Sequence, residues 1–121
     1  MDYEELCKNI LELDSKIRFT GVVNNKGVLI NNLEQKGVKQ YLSPDELKMS
    51  LHYSMWEWDK SQNLSHELGN EKASVLEYDK VTLISIPIDN SNLFVASIEP
   101  NEDYFQIILK MKPLLQNIVK E

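Results

Sequence analysis

Reactive residue types are scarce in this chain of 121 residues: it has one cysteine, two histidines, one arginine and four glycines. Cys7 stands alone, so no intrachain disulfide can form, and a single thiol suits a reducing compartment. The glycines sit apart at 21, 27, 37 and 69, which excludes a Gly-rich phosphate loop. No apolar run approaches the roughly 20 residues needed to cross a bilayer. The first residues, Met1-Asp2-Tyr3-Glu4-Glu5, lack the basic start and apolar core of a signal peptide, so a cytoplasmic location is expected. Basic charge is also short: 13 Lys and Arg face 19 Asp and Glu, for a net charge of −6. Nucleic acid is therefore not an expected partner, because phosphate binding needs a basic face. Membrane insertion is not expected either. Asn63-Leu64-Ser65 fits a glycosylation sequon but reads as chance without a secretion signal.

What is present is ordinary for a globular protein: 42% hydrophobic and 26% charged residues. The length suits one core, so residues 1–121 are read as a single domain.

Residues 2–14 predict an amphipathic helix, with Tyr3, Leu6, Cys7, Ile10 and Leu11 on one face and Asp2 and Glu5 at its start. Ile17–Val23 and Val28–Asn31 predict strands joined by the tight turn Asn24-Asn25-Lys26-Gly27. Asn32 to Leu42 reads as a loop. Ser43-Pro44-Asp45-Glu46 is a capping box with proline at the first helical position, and predicts a helix from there to about Lys60. Ser61 to Asn70 reads as a helix exit and loop. Three more strands follow, at Ala73–Tyr78, Val81–Ile86 and Leu93–Ile98. Their turns are Asp79-Lys80 and Asp89-Asn90-Ser91-Asn92, and Pro87 belongs at a strand end. Pro100-Asn101-Glu102-Asp103 opens a last helix whose buried stripe is read as Phe105, Ile108, Met111 (or the Lys112 stem), Leu115 and Ile118/Val119. Pro113 should kink or split that helix. The order α-β-β-α-β-β-β-α predicts an α+β fold, a five-stranded antiparallel sheet with helices on both faces.

The middle helix carries the most information. At 100° per residue, Leu47, Leu51, Met55 and Trp58 share one arc. Met49, Tyr53 and Trp56 fall on the opposite side, with His52 beside them. One face can pack on the domain's own sheet. The other needs a second helix of the chain, a long loop, a ligand or a partner chain. The first and last helices are expected on the far side of the sheet, which favours a partner chain. Trp, Tyr and Met are also enriched in interface cores. Trp56 and Trp58 point about 160° apart and cannot line one cage.

Catalytic groupings are thin. His52, His66 and Cys7 match no familiar metal spacing. Cys7 lies on the apolar face of its helix and reads as a buried, inert thiol. Glu57 with Asp59, and Glu102 with Asp103, point apart on their helices and read as solvated surface. Arg18 could pair an anion, but alone makes no site. No catalytic, cofactor-binding or metal-binding residue is assigned, and no cofactor is expected.

The segment Phe19-Thr20-Gly21-Val22-Val23-Asn24-Asn25-Lys26-Gly27-Val28-Leu29-Ile30 resembles the first hairpin of the dynein-light-chain roadblock family, which has a GV-V-x-x-x-G hairpin after an N-terminal helix. Lys80 to Ile98 resembles that family's closing hairpin, and the element order matches over nearly the whole chain. The resemblance implies a roadblock-like domain of a divergent prokaryotic or archaeal member. It also implies a homodimer or heterodimer with antiparallel middle helices, and third strands that join two sheets. Met49, His52, Tyr53 and Trp56 would then form the seam, with Val75 and Leu76 near the strand junction. Many family members are non-catalytic platforms for small Ras-like GTPases. The expected function is thus a dimerisation or scaffold module, with a small GTPase or another protein as partner. The alternative is a PAS- or GAF-like small-molecule sensor, with Thr82, Ser85 and Ser97 as the polar residues available to orient a ligand.

Overall fold

The structure of the chain, a computed structural model, describes residues 2–119, with side chains to 116. Five strands form one antiparallel sheet in the order β2-β1-β5-β4-β3. They are β1 (Ile17–Val23), β2 (Leu29–Glu34), β3 (Ser74–Glu77), β4 (Thr82–Pro87) and β5 (Leu93–Ile98). The helices are α1 (Tyr3–Leu11), α2 (Pro44–Ser61), the short α3 (Ser65–Leu68) and α4 (Tyr104–Val119). The predicted α+β order therefore holds. The first and last strands of the chain's two hairpin systems are brought together, since β1 pairs with β5 at the sheet centre. That leaves β2 and β3 as the two edges.

Strand alternation sends side chains to two different layers. Val22, Ile84, Ile86, Phe94, Ala96 and Ile98 meet Leu6, Cys7, Ile10 and Leu11 of α1 and Ile107, Ile108, Met111 and Leu115 of α4. On the other side Val23, Leu93 and Val95 meet only Leu51 and Trp58 of α2, with Phe19, Leu29, Leu47 and Met55 packed around them. Helices thus cover both faces of the sheet, but unequally.

Local signals explain the element ends. Asp2 Oδ1 accepts the Glu5 N–H at 3.0 Å and starts α1. Ser43 Oγ accepts the Glu46 N–H at 3.2 Å, and Glu46 Oε1 accepts the Ser43 N–H at 2.9 Å, a closed capping box. In the first hairpin Asn24 Oδ1 accepts the N–H groups of Lys26 and Val28, and Gly27 takes φ +76°. Asp89 Oδ1 accepts the Ser91 and Asn92 N–H groups and folds the β4–β5 turn. Pro87 ends β4; β3 begins at Ser74 opposite Ser85, so the β3–β4 ladder does not reach Pro87 and no bond to β3 is missed there.

Several boundaries differ from the sequence expectation. β2 reaches Glu34, into the stretch read as loop. After Ser61 the chain keeps turning, through a 3-10 segment at Gln62–Leu64 and then α3, and the exit comes at Gly69 with φ +82°. α4 starts at Tyr104, not Pro100, because Asn101 adopts φ 64° and Asp103 Oδ1 accepts the Gln106 N–H. It is not split at Pro113. Leu109 and Pro113 are both exposed, so the missing backbone bond falls on the solvent side. Phe105 is exposed, contrary to expectation. The buried stripe is Ile107, Ile108, Met111 and Leu115, and Phe105 lies about 100° from its centre. The stripe positions Ile118 and Val119 lie outside the described side chains.

Candidate functional site

The two faces of α2 separate as the spacing predicts. Trp58 is 7% exposed and Leu51 is buried on the sheet, while Met49, Tyr53 and Trp56 are 68%, 49% and 56% exposed. No described segment of the chain covers that outer face. The Tyr53 and Trp56 rings stack on one another, with centroids 6.3 Å apart and planes 30° apart. Lys60 Nζ stands 5.7 Å from the Trp56 ring centre, within cation–π range. Glu57, as an acceptor for the Tyr53 hydroxyl and then through its charge, pushes the phenol's pKa up. Tyr78, exposed just after β3, is close enough to add a small electrostatic effect on Tyr53. By sequence alone Tyr78 reads only as a strand residue.

The remaining interface expectations fall on different surroundings. His52 is exposed, yet its ring rests on the first hairpin's turn: a Cβ at Gly27 would stand 3.0 Å from it. Val75 and Leu76 lie on the edge strand β3, both half-buried. Val75 packs toward the α1/α4 core, whereas Leu76 lies beside Trp58 and Leu83 on the α2 side. They therefore share an edge but not a face. Leu64 and Leu68, set four apart beyond α2, are also exposed. Their spacing is the available sequence signal, hidden by the polar residues around them.

The groups weighed for chemistry are not brought together. Cys7 is buried in the α1/α4 layer, and its carbonyl accepts the Thr20 hydroxyl at 2.9 Å. Burial pushes its thiol pKa up, with the Thr20 contact opposing weakly. His52 lies across the sheet on α2, and His66 is exposed on α3. No group of three or more His, Cys, Asp or Glu that could hold a metal occurs among the described residues. No described helix is long and apolar enough to cross a membrane.

A second feature lies behind α2. Ser85 pairs opposite Val95, and Ser97 opposite Leu83, so two small side chains sit on the sheet face that α2 covers. Ser50 and Ser54, four apart on α2, face the same space. Small residues meeting small residues leave a cavity of about 150 Å³. Its apolar walls include Phe19, Leu47, Leu51, Leu83 and Val95, and Tyr41 and Leu42 stand at its rim. Thr82 does not line it; it is buried on the sheet's other side, opposite Ile98.

Arg18 borders the cavity by way of a strand irregularity. The β1–β5 register slips between Ile17 and Phe19, so Arg18 is the extra residue of a bulge. Its guanidinium pairs with Glu99 and donates to the Lys39 carbonyl, and it stacks over the Tyr41 ring at 5.0 Å. This ties the 35–42 loop over the cavity. Sequence reading does not reach it, since a bulge is set by pairing register.

No family model matches the chain, and no curated protein matches it by sequence. Solved structures do match in shape. The gliding protein MglB from Thermus thermophilus shares 14% identity at TM-score 0.77, over 96% of this chain and 84% of that one. A Roadblock/LC7 domain from Streptomyces avermitilis shares 12% at TM-score 0.74, over 98% and 95%. An MglB in a tetrameric arrangement shares 15% at TM-score 0.78, over 96% and 84%. The fold is that of a roadblock-type domain.

Proposed function

We propose that the chain is a non-catalytic dimerisation and scaffold module that pairs through the outer face of α2. The observation that carries this reading is the uncovered Met49, Tyr53 and Trp56 on a helix whose opposite face is already buried. Burying such a face contributes about 25 cal/mol per Å² of apolar area, enough for several kcal/mol. His52 would flank the seam. The edge strand β3, carrying Val75 and Leu76, offers unpaired backbone groups through which a second sheet can continue this one. A neighbour in fold described as tetrameric is consistent with self-assembly. As such a module the protein would work in the cytoplasm.

The finer part of the proposal is that the paired module serves as platform or regulator for a small Ras-like GTPase. It rests on the roadblock resemblance and on the fold shared with MglB. A second reading, a small-molecule sensor, is favoured by one observation, the cavity lined by Ser85 and Ser97.

Light scattering on the purified chain tests the pairing. A dimer is expected at tens of micromolar, and Trp56→Glu or Tyr53→Glu should yield a folded monomer. A monomeric wild type would overturn the proposal. Gel filtration with the small Ras-like GTPases of the same genome, in GDP and GTP forms, tests the partner. If none binds in either form the GTPase part falls, and the dimer part stands on its own measurement.

A further inference from the structure

The space between α2 and the sheet is a cleft open to solvent, not a sealed core. Phe19, Leu47 and Leu83 along it are half-buried, and Leu51 and Val95 are buried. Leucines at the four serine positions would fill it with chemistry already used around it. Instead Ser50, Ser54, Ser85 and Ser97 line the space, each of them partly exposed.

We infer that this cavity is a binding site for a small, uncharged, mainly apolar molecule, about one aromatic ring in size, carrying a hydroxyl or carbonyl group.

Size sets the first limit. A cavity of about 150 Å³ holds a benzene-sized ring. The lining sets the second. Apolar walls suit a hydrocarbon body, and the serines along the cleft offer hydroxyls that can donate to or accept from one polar group. Charge sets the third. Of the charged side chains at the rim, Arg18 holds Glu99 and the Lys39 carbonyl, Glu34 accepts the Gln40 amide at 2.7 Å, and Lys39 Nζ stands over the Tyr41 ring at 5.8 Å; the inner walls Phe19, Leu47, Leu51, Leu83 and Val95 carry no charge. A charged ligand seated among those apolar walls would lose its hydration. The loop gives a route of entry, since Tyr41 and Leu42 stand at the mouth and are exposed.

Benzyl alcohol is a suitable probe, with benzoate and benzylamine as its charged counterparts. Methyl-labelled full-length protein is titrated with each and followed by NMR. Benzyl alcohol should give saturable shifts at Leu47, Leu51, Leu83 and Val95, and nuclear Overhauser contacts from its ring to the Leu51 and Val95 methyls. Benzoate and benzylamine should bind roughly tenfold or more weakly, because an unpaired charge leaves water. Ser85→Leu and Ser50→Leu, which fill the space from the sheet side and the helix side, should each lose the saturable shifts while keeping the wild-type circular dichroism. The inference is overturned by any of three results: no saturable shift or Overhauser contact in the wild type, shifts that survive in both filled variants, or tighter binding of benzoate than of benzyl alcohol. The Overhauser contacts need no variant, so the test stands even if a leucine variant fails to fold.

Discussion

Gly27 and the His52 ring meet where the first hairpin turn touches α2. Gly27 holds φ +76°, and a methyl group there would stand 3.0 Å from His52 Cδ2 and 3.1 Å from Nε2. The contact joins two elements that the chain separates by β2 and the 35–42 loop.

Gly27→Ala should therefore destabilise the domain for two separable reasons. A left-handed residue with a Cβ costs about 1–2 kcal/mol, and the ring must also move. Urea denaturation of Gly27→Ala, His52→Ala and the double variant forms a cycle. The double variant should be more stable than the sum of the singles predicts. Strict additivity would mean that the ring does not press on position 27.

The capping box makes a second prediction. Ser43→Ala should cost about 1 kcal/mol in urea denaturation, the usual loss for an N-cap oxygen. Glu46 accepts the Ser43 backbone N–H and meets its hydroxyl, and both hold its carboxyl below the ordinary range. A depressed folded pKa gives stability that is present above the unfolded pKa and lost as pH falls through the folded one. Glu46→Gln should therefore be less stable than the wild type at neutral pH. The gap should close as pH drops below about 4. A gap that stays constant to pH 3 would refute the assignment.

Cys7 should be inert in the folded protein. Its side chain is buried and its pKa pushed up by burial, so thiol reagents should react only as fast as the domain opens. Labelling should accelerate steeply through the urea transition. The raised folded pKa also means that stability is full below the unfolded thiol's pKa and declines as pH rises through the folded value. Cys7→Ala should flatten that alkaline decline. Rapid labelling of the native protein at neutral pH would contradict this placement.

Arg18 should act as a fastener for the 35–42 loop. Arg18→Met removes the bonds to Glu99 and to the Lys39 carbonyl, and should cost about 1–2 kcal/mol, since Glu99 is partly exposed and relaxes into water. Amide exchange at residues 38–42 should speed up more than exchange in β4 or β5. Equal acceleration everywhere would point to global loss instead.

Much of the fold is legible in the sequence because its signals are local. The capping box at Ser43, the Asn24–Gly27 turn and the apolar run Leu93–Ile98 each act within a few residues. The two faces of α2 are legible for the same reason, as a periodicity. What escapes depends on contacts across layers. Ser85 and Ser97 can be singled out as polar strand residues, but only packing shows that Ser50 and Ser54 face them. Arg18 is aimed by a register slip that no single strand encodes. Phe105 misleads because an apolar residue three before Ile108 resembles a stripe, while the buried stripe is centred between Ile108 and Ile107 and leaves Phe105 about 100° away, in solvent. Thr82 groups with the two serines by composition, although its neighbour parity in β4 sends it to the opposite layer.

The unequal layers bear on how the domain comes apart. The α1/α4 side is closed by strands and two helices together, whereas α2 is held by Leu51 and Trp58 against Val23, Leu93 and Val95, with an open cleft beside them. Opening free energies within one domain range from near zero to the global value, and sparse burial marks the low end. α2 is then a unit that can lift off while the sheet and its other helices stay assembled. Such a helix reports on whatever touches it, from either side, as a change in its own exchange protection.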